Sequence, residues 1–580
     1  MIKHSLKQAI KMYVRGQLHD LGLLEDMGLD FNLPLIASIE PTIGDTTTTF
    51  SRSTTATVVD FEGVVHTTQI NEARFPGARR VENRLTDSSN LLNWSSAVNI
   101  TDTGETIEAP DGSIVKVFSM PIDSYALDYN LVQVGSSYVN SIWIKSDVET
   151  TIGFRRPTGI ADSFNITITT EWQKFEIPGT CNAALTTVTF LLDNRTISGF
   201  GTYDINIAIW DAQQEHMTGT QTGASEAVSV GTLSYPYHGA GVDGVKYFTT
   251  DRDGNSLTDL PGYLNEPNGT NLVVYSNDFT VWTASGGATA SGNQAIAPNG
   301  LLEADLISIP TSLGSIFTGI TPTAGAIYTY SIYLRSVSGT GIVTLNWYDT
   351  VAGHHRTPVN ITEEWQRFEI TFTLSIGATH LYAYVGDDRS STSTISSYYA
   401  WGAQVEFGLG STSHIPTYGS TATRTADSLE YDVFDVITQG QGSMFCEFAI
   451  DSTQSSDYRL LYLSDGTASN MIYMYINSDG KISGTVVNSD VTVGSIESSV
   501  VTVQDTTYKV LLTYEDDHIC LYVNGELIGS DTSGSIPMLS TAYLNVGSSY
   551  GGSDQMIGCI RNVKDFNQPL TEAQAIRITS

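Results

Sequence analysis

The chain has 580 residues, 41% of them hydrophobic and only 16% charged, with a formal net charge of −34. That length exceeds one hydrophobic core and predicts roughly three to five domains. The carboxylate excess is repelled by phosphate backbones and anionic membrane surfaces, which argues against nucleic acid as a partner, and no stretch of about 20 apolar residues is present to insert into a bilayer.

Residues 1–43 open with "MIKHSLKQAIKMYVRGQLHDLGLL". Leu6, Ile10, Tyr13, Val14, Leu18 and Leu21 recur at three- and four-residue steps, predicting an amphipathic helix. Gly22, Gly28 and Pro34 end it. The segment lacks a continuous apolar core, so it does not read as a secretory signal. Its apolar face either packs on the first domain or docks the chain to a larger assembly. Leu6, Ile10 and Tyr13 would begin a short homotrimeric seam, although no sustained heptads follow. Residues 44–83, with "TTTTFSRSTTATVVDFEGVV", read as an extended β linker with little core of its own.

A repeat dominates the next part. "EWQKFEI" at Glu171 returns as "EWQRFEI" at Glu364, an offset of 193. "SIWIKS" and "SIYLRS" are offset by 190, "IWDAQQE" and "AWGAQVE" by 191, and "NLL" and "NLV" by 181. Four blocks in the same order define a duplicated domain of about 130 residues. Each block alternates with period two, and about eight short strands per copy predict a β-sandwich. The copies occupy residues 84–216 and 265–420, joined by a linker at 217–264. That linker holds "DRDGNSLTD", in which Asp251, Asp253 and Asn255 have calcium-loop spacing. Ser256 and Gly262 break the pattern, leaving an Asp-Gly turn.

Residues 421–580 change character again. Asn524-Gly525 marks a type I′ hairpin, Glu515 to Asp517 a turn, "YINSDGKISGTVV" a second hairpin, and a short helix starts near Pro569 or Thr571. The fold class is therefore all-β: tandem sandwiches with a short helical N-terminus. The four cysteines show no metal-ligand spacing and read as buried hydrophobes.

No HExxH, GxSxG or P-loop motif occurs. His354 and His355 are adjacent, point to opposite sides and read as a surface loop. No carboxylate pair has glycosidase character. A non-catalytic protein with no cofactor is expected, although calcium held by loop oxygens would leave no signature. Sugar binding needs aromatic faces beside planar polar groups. The candidates are Trp143, Arg155 and Arg156 in the first copy and Tyr333, Trp347, Tyr348 and Arg356 in the second. Trp172, Trp210, Trp365 and Trp401, shared by both copies, read as core or inter-sheet packing.

Three resemblances add to this reading. "TYEDDHICLYVNGELIGS", "LNVGSSYGGSDQMIGCIRNVKDF" and "PLTEAQA" resemble a concanavalin A-like (laminin-G-like) lectin sandwich, which implies a lectin edge around Asp465, Asn470, Tyr550 and Asp554. The "EWQxFE" and "WxAQxE" strands resemble carbohydrate-binding-module jelly rolls. "FSRSTTATVVDFEG", "NEARF" and "NLLNWS" make the layout similar to bacteriophage virion proteins of the tail-fibre, tail-tip or head-fibre kind. The resemblance implies a virion location, docking to other virion proteins through the N-terminal helix, two jelly rolls as stalk or glycan readers, and a lectin domain at the distal end that attaches to host-surface glycans. A purely structural head or neck fibre and a polysaccharide depolymerase are the alternatives.

Overall fold

The structure, a computed structural model, describes residues 27–131, 135–158, 163–181, 187–310, 314–387, 393–453 and 456–580. The expected docking-helix residues Leu6, Ile10, Tyr13, Val14, Leu18 and Leu21 lie outside them. Nearly everything described is β, in stacked antiparallel sheets.

The C-terminal sandwich is completed by the beginning of the chain. Leu29–Leu33 pairs with Gly558–Phe566 at the edge of one sheet, and Thr47–Ser51 pairs with Ser428–Asp432 at the edge of the other. The sequence "LDFNL" alternates, so Leu29, Phe31 and Leu33 enter the core while Asp30 and Asn32 lie toward solvent. This corrects the helical assignment of 1–43 at its C-terminal end: the period there is two, not 3.6. Residues 44–83, expected to have little core of their own, bury Phe50, Val58, Ala73, Phe75 and Ala78 in a cluster shared with Leu429, Phe448, Leu512 and Ile560. A third piece, Tyr263–Asn265 of the second linker, pairs with Gly558–Phe566 as well. The C-terminal sandwich therefore sits where the chain enters the fold, and the two duplicated modules are excursions from it.

The local signals of the last domain hold. Asn524 and Gly525 both have positive φ, 48° and 83°, as a type I′ turn between His518–Val523 and Glu526–Asp531 requires. The closing helix, Glu572–Thr579, starts at Thr571 with a reciprocal capping box to Gln574. All four cysteines are buried, and none is in a disulfide.

Each duplicated module is a pair of five-stranded sheets, ten strands among the described residues rather than eight. In the first module one sheet runs Gln173–Thr180, Ser137–Ser146, Ile205–Met217, Ile114–Met120, Thr101–Glu108; its counterpart in the second runs Gln366–Thr373, Ile327–Ser336, Ser397–Phe407, Leu302–Ser308, Thr289–Ile296. We call these the tryptophan sheets and their partners the facing sheets. Both tryptophan sheets carry a register shift at the same place, opposite Ser141/Trp143 and opposite Ser331/Tyr333.

The connectors and the C-terminal sandwich meet at a buried ionic cluster. Asp427 accepts from Arg52 at 3.0 Å and Arg74 at 2.5 Å; Glu266 lies 2.6 Å from Arg74 and 3.4 Å from Arg424. No side chain in the cluster is more than 2% exposed. Removing one partner leaves the others charged and unpaired in the interior. Asp427→Ala is expected to cost about 3–5 kcal/mol, read as a lower guanidinium midpoint for the C-terminal sandwich, whereas Asp102→Ala, at a solvent-exposed pair, leaves the midpoint unchanged.

Candidate functional site

Aromatic side chains collect on the outer face of one sheet of the C-terminal sandwich. In Met471–Ile476, Ile472, Met474 and Ile476 are buried while Tyr473 and Tyr475 point outward. Next to them, Tyr462 lies opposite Tyr473, with ring centroids 5.7 Å apart. The Arg459 guanidinium lies 4.7 Å from the Tyr473 ring centre and 5.2 Å from that of Tyr475, a cation–π arrangement. Burial raises the Tyr462 and Tyr473 phenols above their ordinary value, so both stay neutral donors.

All four expected lectin-edge residues lie at the rim of this face. Tyr550 is 44% exposed and packs 5.7 Å from Tyr543. It lies over Gly466, whose φ of 84° and close approach to that ring both suit glycine. Asp554 stands 3.4 Å from Arg459. Asp465 accepts from the Thr467 amide and hydroxyl and from the Asn470 side chain. Burial alone would raise its pKa, but these bonds hold it below the usual carboxylate range. Asp465 and Asn470 thus brace the loop, while Tyr550 and Asp554 face outward.

The second module presents a similar surface on its facing sheet. Tyr348, Tyr382 and Tyr384 lie on the same side of neighbouring strands, with His354 4.7 Å from Tyr348 and Phe317 4.9 Å from Tyr384. Arg356, opposite Asn346, shares that side. His354 and His355 do point to opposite faces, but on a strand, Gly353–Ile361, and not in a surface loop. Trp347 faces the other way and is sealed between His355 at 3.8 Å and Phe372 at 3.9 Å, so it offers no ring face to a ligand. Tyr333 is likewise enclosed, against Trp401 and beneath Arg367.

In the first module the candidates separate. Arg155 lies on the facing sheet, 3.4 Å from Thr189, and burial lowers its pKa. Arg156 packs on Phe164 at 4.1 Å. Trp143 projects from the tryptophan sheet, on the opposite side of the sandwich. Trp172, Trp210 and Trp365, expected in cores, are partly buried on outer faces. Trp401 is buried, but among Tyr333, His414 and the first-linker residue Val65 rather than between sheets. The sequence reading missed Arg459, Tyr462, Tyr473, Tyr475, Tyr382 and Tyr384. For the last four the signal was the Tyr-x-Tyr spacing in "YMYI" and "LYAY", which puts both rings on one side of a strand.

Asp251 accepts from the backbone of Asp253 and Asn255 and from the Asn255 side chain, a turn closed on itself. Among the described residues no cluster of His, Cys, Asp and Glu has metal-binding geometry.

Residues 431–575 match the family described as the concanavalin A-like lectin/glucanases superfamily. No curated protein matches the chain in sequence. Among solved structures, the CBM40 of the Ruminococcus gnavus IT-sialidase bound to α2,3-sialyllactose is 17% identical, over 26% of this chain and 93% of that one, with a TM-score of 0.24. Domain 4 of AbnA, a Geobacillus stearothermophilus GH43 arabinanase in complex with arabinotriose, is 11% identical over 30% and 82%, with a TM-score of 0.24. The tandem CBM22-1–CBM22-2 domain of Paenibacillus barcinonensis Xyn10C is 10% identical over 57% and 98%, with a TM-score of 0.20.

A cavity of about 440 Å³ separates the second module from the C-terminal sandwich, lined in part by Asp451, Asp505, Glu266, Arg367 and His414. Burial, reinforced by Glu266 and Asp505 against Arg74, raises Asp451 to about 7. Burial also pushes Glu266 upward, but Arg424 and Arg74 outweigh it and hold that carboxyl at about 2. Burial drops His414 to about 3. A raised carboxyl stabilises the folded state below its ordinary pKa and loses that contribution as pH rises through the folded value; the depressed His414 and Glu266 run the other way. Asp451→Asn isolates the first effect. The variant is expected to melt above the wild type at pH near 8, with the gap closing as pH falls from about 7 toward 4 in thermal scans.

Proposed function

We propose that the protein binds glycans without cleaving them, through the tyrosine-and-arginine face of its C-terminal sandwich and the matching face of its second module. The observation that carries this reading is the convergence of Arg459, Tyr462, Tyr473, Tyr475, Tyr543 and Tyr550 on one outer sheet surface. Pyranose rings present apolar C–H faces to such rings, while phenols, guanidinium groups and the rim carboxylate of Asp554 bond their hydroxyls. The lectin-family match of residues 431–575 supports the same domain as a binding module.

In the finer reading the chain is a virion fibre or attachment protein. Its N-terminal residues dock to other virion proteins, in single copy or as a homotrimer, and its sandwiches meet host-surface glycans. Leu29–Leu33, the first strand among the described residues, pairs with the C-terminal sandwich, and that pairing supports docking near this domain.

The full chain on a glycan array should retain a defined set of glycans. Tyr473→Ala combined with Tyr550→Ala should weaken retention at least tenfold with unchanged melting. Release of reducing sugar from a bound polysaccharide would replace this reading with a depolymerase. Absence of any retained glycan would favour a purely structural fibre.

A further inference from the structure

The two tryptophan sheets descend from one duplicated sequence, yet their outer faces have different surroundings. In the second module Tyr333 and Trp401 are closed over by Val65 from the first linker and by His414. The register shift there is absorbed by Gly402, at φ 67°, and His414 lies against it. In the first module the matching residues are Trp143, Trp210 and, at the glycine position, Asp211, which keeps a left-handed φ of 49°. A non-glycine residue in that conformation is uncommon, and the bulge that imposes it re-aims the side chain.

Trp143 and Trp210 are cross-strand neighbours with centroids 5.9 Å apart and planes inclined at 49°. Trp172 and Trp210 rest on Ala109, Val115 and Ala208, and the Trp172 ring nitrogen donates to the Glu108 carbonyl at 3.0 Å, which fixes its orientation. All three indoles are only partly buried. Asp211 feels Asp111 and Lys174, and Lys174 is the cross-strand partner of Trp143, which places the carboxyl on this side of the sheet. Burial, then Asp111, raises Asp211 to about 6 despite Lys174. Among the described residues no donor reaches its carboxyl oxygens within hydrogen-bond distance.

We propose that this face is a second, separate polysaccharide site, on which an extended neutral glycan chain lays its pyranose rings across Trp143, Trp172 and Trp210 and donates hydroxyl hydrogen bonds to Asp211. It shares the ligand class of the proposed function but none of its residues. The indoles lie side by side on a sheet and do not face each other across a cavity, so they form a platform for a chain and not a cage for an ammonium group. A partly desolvated carboxylate without a donor beside indole faces matches a polyol that brings its own donors.

The test uses the full chain carrying Tyr348→Ala, Tyr382→Ala, Tyr473→Ala and Tyr550→Ala, so that retention reports this face alone. The probes are hydroxyethylcellulose and soluble xylan in affinity gels, and microcrystalline cellulose and chitin in depletion assays. At least one should be bound, and a soluble one should change tryptophan fluorescence. Adding Trp143→Ala and Trp172→Ala should weaken binding at least tenfold. Asp211→Gly, the residue type of the other copy, should weaken binding with unchanged melting, because glycine accepts the left-handed backbone. Binding that survives the double tryptophan change, no binding to any of the four probes, or a wild-type dimer in sedimentation that Trp143→Ala dissociates would each overturn the proposal. The last outcome would assign the face to a second copy. Loss of array binding by the four tyrosine changes alone bears only on the earlier reading.

Discussion

Five charged side chains hold this molecule's parts in one arrangement. Arg52 and Arg74 come from the first connector, Glu266 from just beyond the second, and Arg424 and Asp427 from the segment entering the C-terminal sandwich. Three guanidinium groups face two carboxylates, and further guanidinium donors reach backbone carbonyls of Thr54, Glu72, Gln69, Thr57 and Pro267. Burying ions is costly, so such a cluster adds less net stability than its short distances suggest. Its consequence is specificity: any other docking of the connectors would leave a charge unpaired in a low dielectric. Asn265 extends the same junction, donating to the carbonyls of Gly547 and Met556.

Around that junction, duplication has supplied two copies of one sandwich whose surfaces diverged. The inner faces remain alike, with Ile142, Ile144, Ile207 and Ile209 in one core and Ile332, Leu334, Tyr398 and Ala400 in the other. The outer faces changed according to what covers them. Where the first linker lies across the second module, Trp401 became an interior residue; where nothing described lies across the first module, Trp210 stayed partly exposed. The facing sheets diverged too: the second copy built an aromatic row around Tyr348 and Tyr382, whereas the first paired Arg195 with Asp193 beside Tyr125.

Local chemistry was the most legible part of the sequence. Alternation in the two "EWQ" strands, the Asn524-Gly525 turn, the Thr571 cap and the apolar surroundings of the cysteines are decided within a few residues of chain. The Tyr-x-Tyr runs were equally local but ambiguous, because a tyrosine on a strand suits a core and a surface equally well. Trp347 illustrates the difficulty. It neighbours Tyr348, reads the same in sequence, and takes the opposite role only because the side chain alternates and Phe372, distant in sequence, closes over it.

The sequence by itself determined that the chain is β-rich, that one domain is duplicated, and where hairpins of the last domain turn, since period, repeat offset and turn residues are properties of neighbouring positions. Only the tertiary structure decided that Leu29–Leu33 and Thr47–Ser51 complete a domain that begins nearly 400 residues later, and which aromatic faces stay open. A strand's edge partner and a sheet's covering are set by long-range pairing and by the burial of charge at a shared junction, and neither leaves a periodic trace in the residues that take part.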